Sequence, residues 1–116
     1  MPSGPMQAEI WLADLNPRKG TEPGKVRPVV IVQSDLLNSS HPSTIVCPIT
    51  TKIHKEAEIL RVHLHKTNSG LAKPSDILVD HLRAVDNRRL LKRIGKLDKK
   101  TFLLLQENIK IILSLD

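Results

Sequence analysis

Aromatic side chains are almost missing from this chain: Trp11 and Phe102 are the only two, and tyrosine is absent. Sequence-tolerant single-strand binders stack bases on aromatic platforms, so that mode of recognition is excluded and the core must be aliphatic. Cysteine is scarcer still. Cys47 stands alone, so no internal disulfide can form, which suits a reducing cytoplasm. Its place in an apolar strand reads as a packed core thiol rather than a nucleophile. No run of about 18 apolar residues occurs, which excludes a membrane-spanning helix. Internal repeats, low-complexity tracts and long linkers are lacking too. The opening MPSGP has neither the basic start nor the apolar stretch of a signal peptide. Residues 1–5 are therefore expected to be a disordered leader or a cloning remnant, and residues 6–116 a single domain.

What the chain has in excess is positive charge, with a net +6 over 116 residues. The excess is local: between Arg83 and Lys100 lie eight Lys or Arg against only Asp86 and Asp98. Such a balance favours a polyanionic partner, either nucleic acid or an acidic protein segment, and charge alone leaves that choice open.

Alternation predicts a first strand over Glu9–Leu15, and the apolar VVIV within Val26–Gln33 predicts a strand buried on both faces. Between them, NPRKGTEPG (Asn16–Gly24) is a loop, and Ser34–Asn38 is expected to form a short turn of helix. Further strands are expected at Thr44–Thr50, Ile59–His65 and Asp76–Leu82, with KTNSG (Lys66–Gly70) as a turn. Asp86 can cap a short helix through Leu91, closed near Gly95. Asp98 can cap a second helix to about Leu113, with Phe102, Leu105, Ile109, Ile112 and Leu113 on one stripe. Leu103, Leu104 and Ile111 lie off that stripe and suggest further burial in a dimer. Short strands followed by terminal helices, with no helix between strands, argue for a small curved antiparallel sheet or barrel.

Three segments hold residues suited to chemistry: GTEPGKVRP (Gly20–Pro28), PIT (Pro48–Thr50) and SDILVDHLRAVD (Ser75–Asp86). Arg27 stands where a loop enters a buried strand, and its planar fork can brace a phosphate or pair with a carboxylate. Thr50 ends an apolar strand. Asp80 and His81, adjacent in a predicted strand, should point to opposite faces and form no dyad. His63 and His65 share one strand face, read as a solvent face, because no third metal ligand is evident.

The ordered series EIWLADLNP, KGTEPGKVRPVVIV, CPITTKI and SDILVDHLRAVDNRRLLKRIGKL resembles the MazF/PemK (Kid) family of toxin–antitoxin modules, from about Met6 to the C-terminus. The resemblance implies an SH3-like barrel of antiparallel strands with a C-terminal helix, assembled as a homodimer. It implies a cytoplasmic toxin that cuts single-stranded RNA without metal or cofactor, leaving 2′,3′-cyclic phosphate and 5′-hydroxyl ends. A cognate acidic antitoxin would hold it in check, and DNA would be met only through that complex. The implied catalytic residues are Arg27, Thr50 and the loop acid Glu22. The implied RNA contacts are Gly20, Thr21, Gly24, Lys25, Pro28, Thr51, Lys52, Asp80 and His81. In one departure, Kid-like members carry an Arg-x-Asp arrangement on the fifth strand, where this chain has Leu78 and Asp80, and His81 follows in place of the usual glutamine.

RNA brings its own nucleophile, so the protein need only move a proton and stabilise charge at phosphorus. Arg27 suits the second task, Thr50 can donate a hydroxyl to the same phosphate, and Glu22, with Asp80 behind it, is a candidate base. Two other readings stay open. CcdB-like proteins resemble this fold and poison gyrase without cutting RNA, and a catalytically silent nucleic-acid-binding barrel would carry the same charge.

Overall fold

The computed structural model describes residues 4–17, 19–22, 24–65 and 69–116. Within these are seven strands: β1 (Glu9–Asp14), β2 (Val26–Ile31), β3 (Ser43–Thr50), β4 (Arg61–Leu64), β5 (Ser75–Leu78), β6 (Arg83–Asp86) and β7 (Leu90–Lys96). One helix, α1 (Lys99–Ile112), follows. The strands run in the order β4-β5-β3-β2-β1-β7, with β6 also paired to β3, and every pairing is antiparallel. The architecture is thus mainly β with a C-terminal helix.

β2 is buried on both faces, as its apolar run implies. Val29 and Ile31 face a cluster with Ala13, Leu15, Val46 and Val85, while Val30 faces Ile10, Cys47, Ile49, Phe102 and Leu105. Cys47 is fully buried, and desolvation, with a smaller push from Asp80, drives its thiol up to about 12. It is a core residue and no nucleophile.

The Asp98 carboxylate accepts the Thr101 N–H at 2.7 Å and starts α1. Phe102 and Leu105 seat the helix on the core, with Ile109 and Ile112 partly buried beside them. Leu113, expected on the inner stripe, is instead 50% exposed, because it follows the last helical turn. Leu103, Leu104 and Ile111 are also about half exposed.

Three sequence expectations fail here. The strand expected over Asp76–Leu82 is broken after Leu78 by a three-residue 3₁₀ turn, Val79–His81. Below the turn Thr50 lies opposite Asp76, and above it Val46 lies opposite Arg83, so the turn takes up excess chain beside β3 and lets the sheet bend. Asp80 and His81 therefore do not alternate across a strand, and Asp80 Oδ1 lies 4.0 Å from His81 Nε2. The helix expected over 86–91 is also absent. Asp86 does cap, accepting the Arg88 N–H at 2.8 Å, but only a single 3₁₀ turn at Asn87–Arg89. The chain then becomes β7, because pairing with the open edge of β1 satisfies a whole backbone and outweighs local helix preference. Ser34–Asn38 forms hydrogen-bonded turns rather than helix, with Ser34 O accepting from Leu37 N and Asn38 N.

The segment between β4 and β5 returns to the other end of the sheet. Ser69 and Gly70, in the chain that leaves β4, cross β7 at Ile94 and Gly95. A Cβ on Gly95 would lie 1.8 Å from the Ser69 carbonyl oxygen, and one on Gly70 would lie 2.0 Å from that of Ile94, where φ is also +83°. Backbone, not a yielding side chain, blocks both positions. Gly95→Ala is expected to cost about 1–3 kcal/mol, read as a lower urea midpoint at unchanged m-value. The KTNSG turn falls mostly on residues 66–68, which, with residues 1–3, Arg18 and Pro23, lie outside the described residues.

Candidate active-site groove

The 16–25 loop, the end of β3 and the 52–61 segment enclose a groove of about 390 Å³. Its described lining includes Thr21, Glu22, Gly24, Lys25, Arg27, Thr50, Lys52 and His81 of the expected set. Asn16, His54, Arg61 and Leu78 join them. Gly20, Pro28, Thr51 and Asp80 do not line it. Gly20 turns the loop at φ +57°, Pro28 is locked opposite Leu12 in the sheet, and Thr51 is exposed just after β3. Asp80 lies past the bend in the Val79–His81 turn, on the side that raises the Cys47 thiol.

The loop is tied at its neck. Lys25 N donates to Asn16 Oδ1 at 2.8 Å, and Leu15 N donates to Lys25 O at 2.8 Å. Arg89 clamps the same neck by donating to the carbonyls of Asp14 and Asn16. Arg27 then reaches back. Its Nε donates to Gly24 O at 2.8 Å, and its Nη1 lies 3.5 Å from Ile49 O. The guanidinium is thereby held between loop and β3, half-buried, at the groove. Thr50 Oγ1 accepts the Lys52 N–H at 3.1 Å, which leaves the hydroxyl proton to be donated elsewhere.

The groove's charge does not come from the basic stretch read in the sequence. None of the eight Lys or Arg between 83 and 100 lines it. Arg93 pairs with Glu9 at 2.8 Å, and Arg88 pairs with Asp86, whose carboxyl is held at about 2 chiefly by the Arg88 side chain. Among the described residues the groove cations are Lys25, Arg27, Lys52 and Arg61, against Glu22. Neither Trp11 nor Phe102 is on its walls.

Asp76 went unread in the sequence. It is fully buried under the 52–60 segment, directly opposite Thr50 on β3 and His63 on β4. Its Oδ2 accepts Arg61 Nη1 and His54 N, both at 2.9 Å, and its Oδ1 meets His63 Nδ1 at 2.7 Å. Burial alone would push this carboxyl up. The His54 N–H and the His63 and Arg61 side chains outweigh it and hold the carboxyl below its ordinary value. The signal was there in RVHL, which places Arg61 and His63 on the same strand face.

His63 is exposed, as its solvent-face reading implies, yet both of its ring nitrogens are engaged. Its Nδ1 faces Asp76 and its Nε2 faces the Ala57 carbonyl at 2.9 Å. Two acceptors require two N–H donors, which only the imidazolium has. The bond to Asp76 accordingly raises its pKa above the ordinary value. NMR titration of the ring protons is expected to show His63 still cationic at a pH where a free histidine is neutral. Among the described residues, no three His, Cys, Asp or Glu come together to hold a metal ion.

The chain is similar to known proteins over nearly its whole length. The family model described as PemK-like, MazF-like toxin of type II toxin–antitoxin system matches residues 6–113. The chain is 37% identical over 109 residues to the Endoribonuclease MazF of Staphylococcus saprophyticus, covering 94% of this chain and 91% of that one. MazF of Deinococcus radiodurans shares the fold, with a TM-score of 0.84 at 19% identity over 98% of this chain and 100% of that one. A mycobacterial endoribonuclease solved with its cognate antitoxin gives 0.78 at 15% identity, over 99% and 98% of the two chains.

Proposed function

Because the chain belongs to the PemK-like, MazF-like toxins of type II toxin–antitoxin systems, we propose that its groove cuts single-stranded RNA, with the RNA's own 2′-hydroxyl as nucleophile. The observation that carries this reading is that Arg27 and Thr50 line one groove whose described Lys and Arg residues outnumber its acids. Attack of the 2′-oxygen puts negative charge on the non-bridging phosphate oxygens. A guanidinium already anchored at Gly24 and Ile49 meets that charge without reorganising. Thr50 donates its hydroxyl to the same phosphate. The P–O5′ bond breaks and the departing 5′-oxygen takes a proton from solvent or from the protonated base, leaving a 2′,3′-cyclic phosphate and a 5′-hydroxyl without an activated water or a metal ion.

A base must take the 2′-proton. Glu22 and His81 both line the groove, whereas Asp80 does not; Glu22 is the stronger candidate for the base and His81 the second. Thr21, Gly24, Lys25 and Lys52 supply backbone and side-chain contacts along the strand of RNA. Gly20, Pro28 and Thr51 shape the loop and strand ends that carry them.

The toxin works as a homodimer, with the half-exposed Leu103, Leu104 and Ile111 of α1 available to be covered by a second copy. An acidic antitoxin segment fits the same cationic groove and would compete with RNA for it. Both partners meet in the cytoplasm, with DNA reached only through the antitoxin.

Incubation of the purified chain with a long single-stranded RNA in EDTA tests the reading. Discrete fragments are expected from the wild type and not from Arg27→Ala or Thr50→Ala. Intact RNA from the wild type, at concentrations where it is dimeric, would sink it.

A further inference from the structure

We propose that Arg61 is a second substrate-gripping arginine of the groove and that the buried Asp76 is its positioning residue. The inference rests on the RNA-cleavage reading of the same groove and extends it to a wall that the sequence motifs leave out.

An arginine on an exposed loop loses side-chain entropy when it grips a phosphate. Arg61 has already lost it. It stands at the start of β4, lines the groove, and its side chain is only 16% exposed. Its Nη1 donates at once to Asp76 Oδ2 and to the Lys52 carbonyl, each at 2.9 Å. Among the described residues its Nε and Nη2 meet no acceptor, so one edge of the fork is fixed and the rest remains for a ligand. A carboxylate or phosphate suits that geometry, because guanidinium donors fix direction as well as charge.

The Asp76 carboxylate also orders what surrounds Arg61. Through His54 N it holds the start of the 52–60 segment, and through His63, which reaches the Ala57 carbonyl, it holds the middle. Lys52, His54 and Arg61, all on the groove, are set by one buried anion that does not itself line the groove. Leu78, directly across the β4–β5 pair from Arg61, presents no charge of its own. On this wall the described basic groups are therefore those of the segment that Asp76 ties down.

The test separates binding from scission. A fluorescein-labelled single-stranded RNA methylated at every 2′-oxygen cannot supply the nucleophile, so its anisotropy reports binding alone. Arg61→Ala is expected to weaken binding by about tenfold or more. The slope of log affinity against log salt should also become shallower by about 0.7, the change that accompanies one fewer neutralised phosphate on a single strand. Arg61→Lys should recover the slope but only part of the affinity. Asp76→Asn should weaken binding comparably, and the double variant should bind no worse than Arg61→Ala. With cleavable RNA, Arg61→Ala should raise KM more than it lowers kcat, the reverse of Arg27→Ala. Unchanged affinity and salt slope in Arg61→Ala would overturn the grip, and multiplicative losses in the double variant would overturn the positioning. Guanidinium NMR of the wild type gives a reading that needs no Asp76 variant to fold: Arg61 should show hindered rotation about Cζ–Nε, and free rotation would overturn the role of Asp76. Wild type that binds methylated RNA but leaves cleavable RNA intact would sink the cleavage reading alone.

Discussion

Arg27→Ala is expected to slow RNA cleavage by about 10²–10³-fold, the loss seen when one preorganised donor to a developing oxyanion is removed. The magnitude follows from where the side chain stands. Its Nε is committed to Gly24 O and its Nη1 leans on Ile49 O, so the fork is aimed before substrate arrives. Water entering the space left by alanine would have to orient during the reaction. Arg27→Lys keeps the charge without the fork and should recover only part of the rate. Because Arg27 also closes the loop onto Gly24, the alanine variant should be compared at saturating RNA. A loss confined to KM would mean that the side chain only holds the loop. Single-turnover rates on a cleavable oligonucleotide measure the difference, and a rate within a few-fold of wild type would remove Arg27 from the chemistry.

The largest stability effect should come from Asp76→Ala, at about 3–5 kcal/mol, the cost of removing one partner from a buried ionic cluster. Three donors converge on this carboxylate, and among the described residues only Arg61 Nη1 keeps a second acceptor, the Lys52 carbonyl, when it is removed. Calorimetry or a urea titration reads the loss directly, and a change below about 1 kcal/mol, no more than an exposed ion pair contributes, would contradict the hub. Its pH dependence has a definite sign. Asp76 is held below its ordinary value, so its contribution is present above the usual carboxylate range and lost as pH falls through the lowered value. His63 is held above its ordinary value, so its contribution is complete below that value and lost as pH rises through the raised one. The gap between wild type and Asp76→Ala should be widest between these limits and narrow on either side.

Much of the fold was legible because its signals are local. The VVIV run marked a strand buried on both faces, and Asp98 with its apolar stripe marked α1 within a residue or so at each end. What the sequence hid depends on distant partners. β7 exists because β1 has an open edge, and nothing within LLKRIGK distinguishes it from a helix. The break after Leu78 reflects the bend that β3 must make between β5 and β6. At the groove, Arg27 and Thr50 were found through motif resemblance, whereas Arg61 belongs to no motif that was read and Asp76, though inside SDILVDHLRAVD, was given no role there. They are linked only by a cross-strand pairing fifteen residues apart in sequence. Net charge misled in place rather than sign, because none of the basic residues between 83 and 100 lines the groove.

A single ribose offers the most direct test of the central claim, that RNA supplies the nucleophile and this groove only steadies the phosphate. Once a cut has been mapped in EDTA, the nucleotide 5′ to it is replaced by its 2′-deoxy counterpart, and fragments are resolved by gel and end-group analysis. Cleavage should vanish at that bond alone, with neighbouring cuts still ending in 2′,3′-cyclic phosphate and 5′-hydroxyl. A cut that persists at the deoxy position, or one that yields a 5′-phosphate, would contradict the account.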